Sequence, residues 1–238
     1  VAYELESIRA SYGGALALDG LTLGLEEGSV TVVLGPSGCG KTTLLNVIAG
    51  LKAPDSGARR GFEGCRFSYA FQDPRLLPWK SCLGNMTFAL EGVMGKKPAL
   101  ARAERFLESA GLAEAARRRP AELSGGMGRR LSLARAFAYP SDMLLLDEAF
   151  QAVDLRMKME LMDVFLALMR EERRTVVCVT HDVEEAAYLA DRAVVLSPGP
   201  ARIVDSFAVS APRPERALGS AATMEAQARL YRLALGSS

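Results

Sequence analysis

The sequence holds a single histidine, a single tryptophan and four cysteines in 238 residues. One imidazole excludes any mechanism or metal centre that needs two. Cys39, Cys65, Cys82 and Cys178 form no Cys-x-x-Cys pair. Neither a zinc knuckle nor a dithiol redox centre is therefore encoded, and free thiols packed as small apolar groups are expected. An excess of one charge is missing too: 29 Lys and Arg stand against 28 Asp and Glu, a formal net charge of +1. That balance gives no electrostatic case for nucleic acid as the main partner. No apolar run approaches the ~20 residues of a membrane-spanning helix. The longest, Val30–Leu34 and Met143–Leu146, have the length of strands. Val1–Glu6 has neither the basic start nor the apolar stretch of a secretory signal. With 49% hydrophobic and 24% charged residues, the expectation is a soluble, cytosolic, globular chain.

Strand-length and helix-length patterns alternate along the chain. Leu21, Leu23 and Leu25 alternate with Thr22 and Gly24, which predicts a half-buried strand. Val30–Leu34 is the run of a strand buried on both faces, and Lys41–Ala49 then reads as a helix stopped by Gly50. Phe67, Tyr69 and Phe71 alternate in a further strand. Residues 74–139 read as helical, with Leu100, Ala103, Leu107 and Ala110 at three- and four-residue spacing. Arg117-Arg118-Arg119, just before Pro120, reads as a basic helix end favoured by the macrodipole. Met143–Leu146 and Thr175–Val179 are buried-strand runs on either side of an amphipathic helix, Leu155–Met169. Asp182 and Glu185 then form an Asp-x-x-Glu box that opens a helix. The tail after about Val209 has two prolines and a weakly amphipathic helix, expected to pack back onto the domain. This alternation predicts an α/β fold with a mostly parallel sheet and an inserted helical subdomain.

Gly35-Pro36-Ser37-Gly38-Cys39-Gly40-Lys41-Thr42 fits G-x-x-x-x-G-K-[ST], between a buried strand and a helix. Glycines let the backbone turn its N–H groups inward, and the helix that follows sets its positive end against phosphate. Lys41 reaches toward the β- and γ-phosphates, and the Thr42 hydroxyl is a ligand for Mg²⁺. Met143–Leu146 delivers two acids, Asp147 and Glu148, at a strand's carboxyl end, where ligands sit in open parallel sheets. Asp147 suits the surroundings of Mg²⁺, and Glu148 suits an attacking water. His181 stands at the end of another strand, where it can hydrogen-bond a γ-phosphate.

With Leu123-Ser124-Gly125-Gly126-Met127 added, the chain resembles the ATP-binding cassette ATPases, the motor subunits of ABC transporters. The resemblance runs in order through Tyr12, the phosphate loop, Gln72, residues 123–127, Asp147-Glu148, Asp154 and His181. It implies a P-loop cassette fold: a mostly parallel core sheet, an N-terminal antiparallel β portion and an inserted α-helical subdomain. One domain is expected over 1–238. Residues 1–72 and 140–208 would form the core with its β edge, 73–139 the helical subdomain, and 209–238 a tail.

The resemblance implies ATP and Mg²⁺ as ligands. Gly35 through Thr43 and Tyr12 would hold the nucleotide; Thr42, Gln72 and Asp147 would hold the metal. Glu148, His181 and Gln72 would serve hydrolysis. Ser124, Gly125 and Gly126, with Asp154, would act across a head-to-tail dimer, closing on nucleotide held by a second copy. The implied partners are a transmembrane permease and, indirectly, a solute-binding protein, with the chain peripheral on the inner face of the membrane. Gln72–Trp79 resembles the nitrate, sulfonate and taurine importers. There Trp79, with Leu76 and Leu77, would meet a permease; a core tryptophan is the competing reading. Gly128, Ala149, Gln151 and Val153 depart from the common pattern. A small-molecule kinase would explain residues 35–42 but not 123–127 or His181. A soluble cassette outside transport would usually carry long insertions or a second cassette.

Overall fold

The computed structural model describes residues 2–151, 153–209 and 220–236. In chain order the strands and helices are β1 (Tyr3–Tyr12), β2 (Ala15–Leu25), β3 (Val30–Leu34), α1 (Lys41–Ile48), β4 (Ser56–Arg60) and β5 (Phe67–Phe71). Four helices and a strand follow: α2 (Cys82–Met94), α3 (Lys96–Ser109), α4 (Gly125–Ala138), β6 (Met143–Asp147) and α5 (Leu155–Glu171). The last are β7 (Thr175–Thr180), α6 (Val183–Leu189), β8 (Arg192–Leu196), β9 (Ile203–Ala208) and α7 (Ala221–Leu235). The chain divides into two compact units: Val1–Cys65 with Leu145–Glu148 and Thr175–Ser238, and Arg66–Leu144 with Ala149–Arg174.

The first unit carries two sheets. β1 pairs antiparallel with β2 on one side and β4 on the other. In the other sheet β3 lies between β7 and β8, parallel to both, and β9 closes the edge antiparallel to β8. All of β3 and β7 is buried, as a strand covered on both faces must be. Helix α1 packs against β7 and the first sheet, and α6 packs against β3. Asp182 caps α6 by accepting from the amides of Glu184 (2.8 Å) and Glu185 (3.2 Å). The expected box runs through Thr180: its hydroxyl accepts from the Asp182 amide (3.0 Å) and donates to the buried Glu185 carboxylate (2.6 Å). Of the tail, Val209 and residues 220–236 are described; α7 packs on α6 and β8 with Leu230 fully buried. The tail's two prolines lie outside the described residues.

The second unit is built around α4, which packs against α2, α3, α5 and β5. Phe165 of α5 meets Phe137 (5.6 Å) and Phe150 (5.9 Å) edge to face. Two arginines cover the carboxyl end of α4. Arg102 donates to the Ala138 carbonyl, and Arg174 donates to those of Phe137, Tyr139 and Ser141, groups that a helix end leaves unpaired.

Three expectations need correction in this unit. Residues 74–81 are not helical, because Pro74 and Pro78 interrupt them and the Asn85 side chain holds them in a loop. Its amide donates to the carbonyls of Leu77, Lys80 and Ser81 and its oxygen accepts from the Leu77 amide. Leu100 is 43% exposed; the buried face of α3 is Ala99, Ala103, Phe106 and Leu107. Arg117–Arg119 is not an α-helix end. The carbonyls of Ala116 and Arg118 accept from Leu83 (2.9 Å) and Cys82 (2.8 Å), so this segment satisfies the free amides at the start of α2.

Candidate nucleotide site

β3 ends at Leu34, and Gly35–Gly40 turns the chain into α1. Gly40 caps that helix at φ 119°. A Cβ there would fall 2.8 Å from the Ala17 carbonyl oxygen, so both conformation and space require glycine. Pro36, Ser37 and Gly38 are exposed at the top of the turn. Cys39 points inward and is 1% exposed; burial pushes its thiol up, so it stays protonated and packs as an apolar group. None of the four cysteines is in a disulfide among the described residues.

Lys41 is 6% exposed, and its ammonium donates to the carbonyls of Gly35 (2.9 Å) and Pro36 (3.0 Å). The same Nζ lies 3.4 Å from Glu148 Oε1. The Thr42 hydroxyl donates to Asp147 Oδ1 at 3.3 Å. Glu148 stands at the end of β6 with φ 50°, a left-handed conformation that costs a non-glycine residue about 1–3 kcal/mol. Its amide donates to the Val179 carbonyl (3.1 Å), which pins the turn. Its Oε1 also lies 3.4 Å from His181 Nδ1. Lys41, from a segment more than a hundred residues earlier, and His181, at the end of the next strand, thus meet at one carboxylate oxygen of Glu148.

Tyr12, at the end of β1, is 71% exposed. It lines a cavity of about 330 Å³ with Gly38, Gly40, Lys41, Thr42, Thr43, Asn46 and Glu148. The Thr42 hydroxyl and the Asp147 carboxylate are hard oxygen donors that suit Mg²⁺. Among the described residues no cluster of three or more His, Cys, Asp or Glu could hold a metal.

The remaining candidates lie in the second unit. Gln72 follows β5 and is exposed, and its carbonyl accepts from Arg129 (3.0 Å). Ser124 caps α4, its hydroxyl accepting from the Met127 amide (3.3 Å), and Gly125 and Gly126 form the first turn. Asp154 caps α5 by accepting from the Met157 amide (2.9 Å). Trp79 is 68% exposed, which removes the core reading. Sequence reasoning missed Asn46 in the cavity wall and the side chains that hold the Gln72 loop. An asparagine four residues after the Ser81 cap was a signal only for the neighbouring turn, where Asn85 bonds Leu77, Lys80 and Ser81; nothing in the sequence marked Arg129 or Arg135.

A family model described as ABC transporter matches residues 18–151. The chain belongs to the ABC transporter family. The aliphatic sulfonates import ATP-binding protein SsuB 2 of Burkholderia cenocepacia (strain HI2424) is 41% identical over 218 residues, covering 89% of this chain and 79% of that protein. The taurine import ATP-binding protein TauB of Escherichia coli O6:K15:H31 (strain 536 / UPEC) is 40% identical over 209 residues, covering 85% of this chain and 82% of that one. Among solved structures, the ATP-binding cassette MJ0796, dimeric and bound to ADP and Pi after hydrolysis, is similar with a TM-score of 0.72 and 26% identity. That match covers 88% of this chain and 100% of the other. This cassette therefore has the α/β fold that its sequence implies, binds ATP and is an ATPase of the transporter family.

Proposed function

We propose that this chain is the ATP-hydrolysing motor of an importer for small organic sulfonates, taurine or similar solutes. Its domain is one cassette, working as a head-to-tail dimer against a permease on the inner face of the membrane. A solute-binding protein delivers the cargo. No helix among the described residues is long and apolar enough to cross a membrane, and in this reading a separate permease forms the path.

The supporting observation is the convergence on Glu148, whose Oε1 lies 3.4 Å from both Lys41 and His181 beside the Gly35–Thr43 turn. Amides of that turn and the Lys41 ammonium hold the phosphates, and Tyr12 stacks on the base. Glu148 orients the attacking water and accepts its proton, and His181 holds the γ-phosphate oxygen. Thr42, Asp147 and Gln72 would hold Mg²⁺, which would supply positive charge to neutralise the transferred phosphoryl group. A Cβ on Gly125 would meet nothing within 4 Å, so packing within the described chain does not explain that glycine. An open backbone at the start of α4 suits a phosphate brought by a second copy, with Ser124 and Gly126 beside it and Asp154 linking the two sites.

Glu148→Gln tests this. ATP binding should persist, turnover should fall ~100- to 10,000-fold, and a dimer should accumulate in Mg-ATP by size-exclusion chromatography with light scattering. A variant that stays monomeric at saturating Mg-ATP would count against the sandwich. Reconstitution with the permease and binding protein, followed by taurine or alkanesulfonate uptake, checks the cargo.

A further inference from the structure

The segment after β5 is irregular, contains Pro74, and has a non-glycine residue in the left-handed region, Arg75 at φ 46°. Such a stretch cannot hold its own shape through backbone pairing. It is held from outside, by helix α4. Arg129 Nη1 donates to the Gln72 carbonyl (3.0 Å). Arg135 spreads its fork over two further carbonyls, Nη2 on Pro74 (2.9 Å) and Nη1 on Arg75 (3.1 Å). Six residues along a helix advance ~9 Å, about the span of three extended residues. The two arginines therefore match the length of the segment they grip.

Arg135 is half-buried, desolvation lowers its pKa, and the carbonyl oxygens compensate the partly desolvated guanidinium. The strained Arg75 is fixed on its other side as well, its guanidinium stacked 3.6 Å over the Phe71 ring.

We infer that Arg129 and Arg135 are positioning residues for hydrolysis, clamping the Gln72–Arg75 backbone to the helix that begins with Ser124-Gly125-Gly126. This rests on the role proposed above for Gln72. The clamp makes the orientation of the Gln72 backbone a property of α4. Arg129 makes one hydrogen bond with one nitrogen, which a lysine can imitate. Arg135 makes two with a planar fork, which a lysine cannot.

A double-mutant cycle decides it, with kcat, nucleotide affinity, the Mg²⁺ requirement and the thermal midpoint measured for each protein. Gln72→Ala should lower kcat. Arg129→Met should lower kcat ~10- to 100-fold and raise the Mg²⁺ needed for half-maximal rate, with nucleotide affinity and thermal midpoint near wild type. Gln72→Ala with Arg129→Met should be no slower than Gln72→Ala alone. Arg129→Lys should recover most of the rate, whereas Arg135→Lys should not. If Gln72→Ala is slow but Arg129→Met turns over like wild type, or if the two losses multiply, the clamp is overturned. If Gln72→Ala itself matches wild type, the role given to Gln72 fails instead and the positioning argument falls with it. Should Arg135 variants fail to fold, the Arg129 arm still decides.

Discussion

A Cβ on Gly128 would meet only Leu76 Cδ1, at 3.8 Å, an ordinary van der Waals contact. The glycine departs from the family pattern, sits inside α4 and pays a backbone-entropy cost with no steric reason for it. Gly128→Ala should therefore raise stability by ~0.5–1 kcal/mol, read from the urea midpoint; a lower midpoint would mean that the helix uses the freedom. Gly40 is the opposite case, where both φ and the Ala17 carbonyl forbid a side chain. From sequence the two look alike, because composition does not report φ or the distance to a strand remote in the chain. The Gly35–Thr42 turn and the Asp147-Glu148 pair were legible, since their spacing itself encodes phosphate and metal chemistry. The left-handed turn at Glu148 was not, because it is imposed by a hydrogen bond to Val179 in another strand.

Among the elements, buried strands were the easiest to read: β3 and β7 are apolar throughout and buried throughout. The loop over residues 74–81 was misread because it is held by side chains outside it, Arg135 at Pro74 and Arg75 and Asn85 at Leu77, Lys80 and Ser81, and not by periodicity. Arg117–Arg119 misled for a related reason, since its backbone rather than its charge does the structural work. Helix α7 is tied to β9 by Arg229, which donates to Asp205 (2.7 Å) and lies 3.9 Å over the Phe207 ring. The Arg229 hydrogen bond holds the Asp205 carboxyl below its usual range. A lowered folded-state pKa gives stability that is present above about pH 4 and is lost as pH falls through the folded value. Asp205→Asn should thus lower the thermal midpoint at pH 7, with a smaller gap to wild type at pH 3. A gap equally large at both pH values would assign the effect to packing instead.

For the whole molecule, nucleotide and fold should be linked. A ligand that binds only the folded chain stabilises it by ~2.7 kcal/mol at a hundred times its Kd. Mg-ATP should therefore raise the thermal midpoint of the wild type and of Glu148→Gln. Lys41→Ala, which removes the buried ammonium from the phosphate loop, should abolish most of that rise. An unchanged rise would sink the assignment of the loop. A net charge of +1 suits partners recognised by shape and by phosphate rather than by a broad electric field.

The conformation of Glu148 also sets stability against purpose. Every folded copy carries the strain of a left-handed glutamate, which glycine or asparagine at that position would relieve. A population of variants selected only for heat resistance should drift toward those residues, and one selected for solute uptake should keep the carboxylate. Under the mechanism proposed above, the acid is kept at the expense of the fold, and its replacement would mark a descendant that has stopped working as a motor.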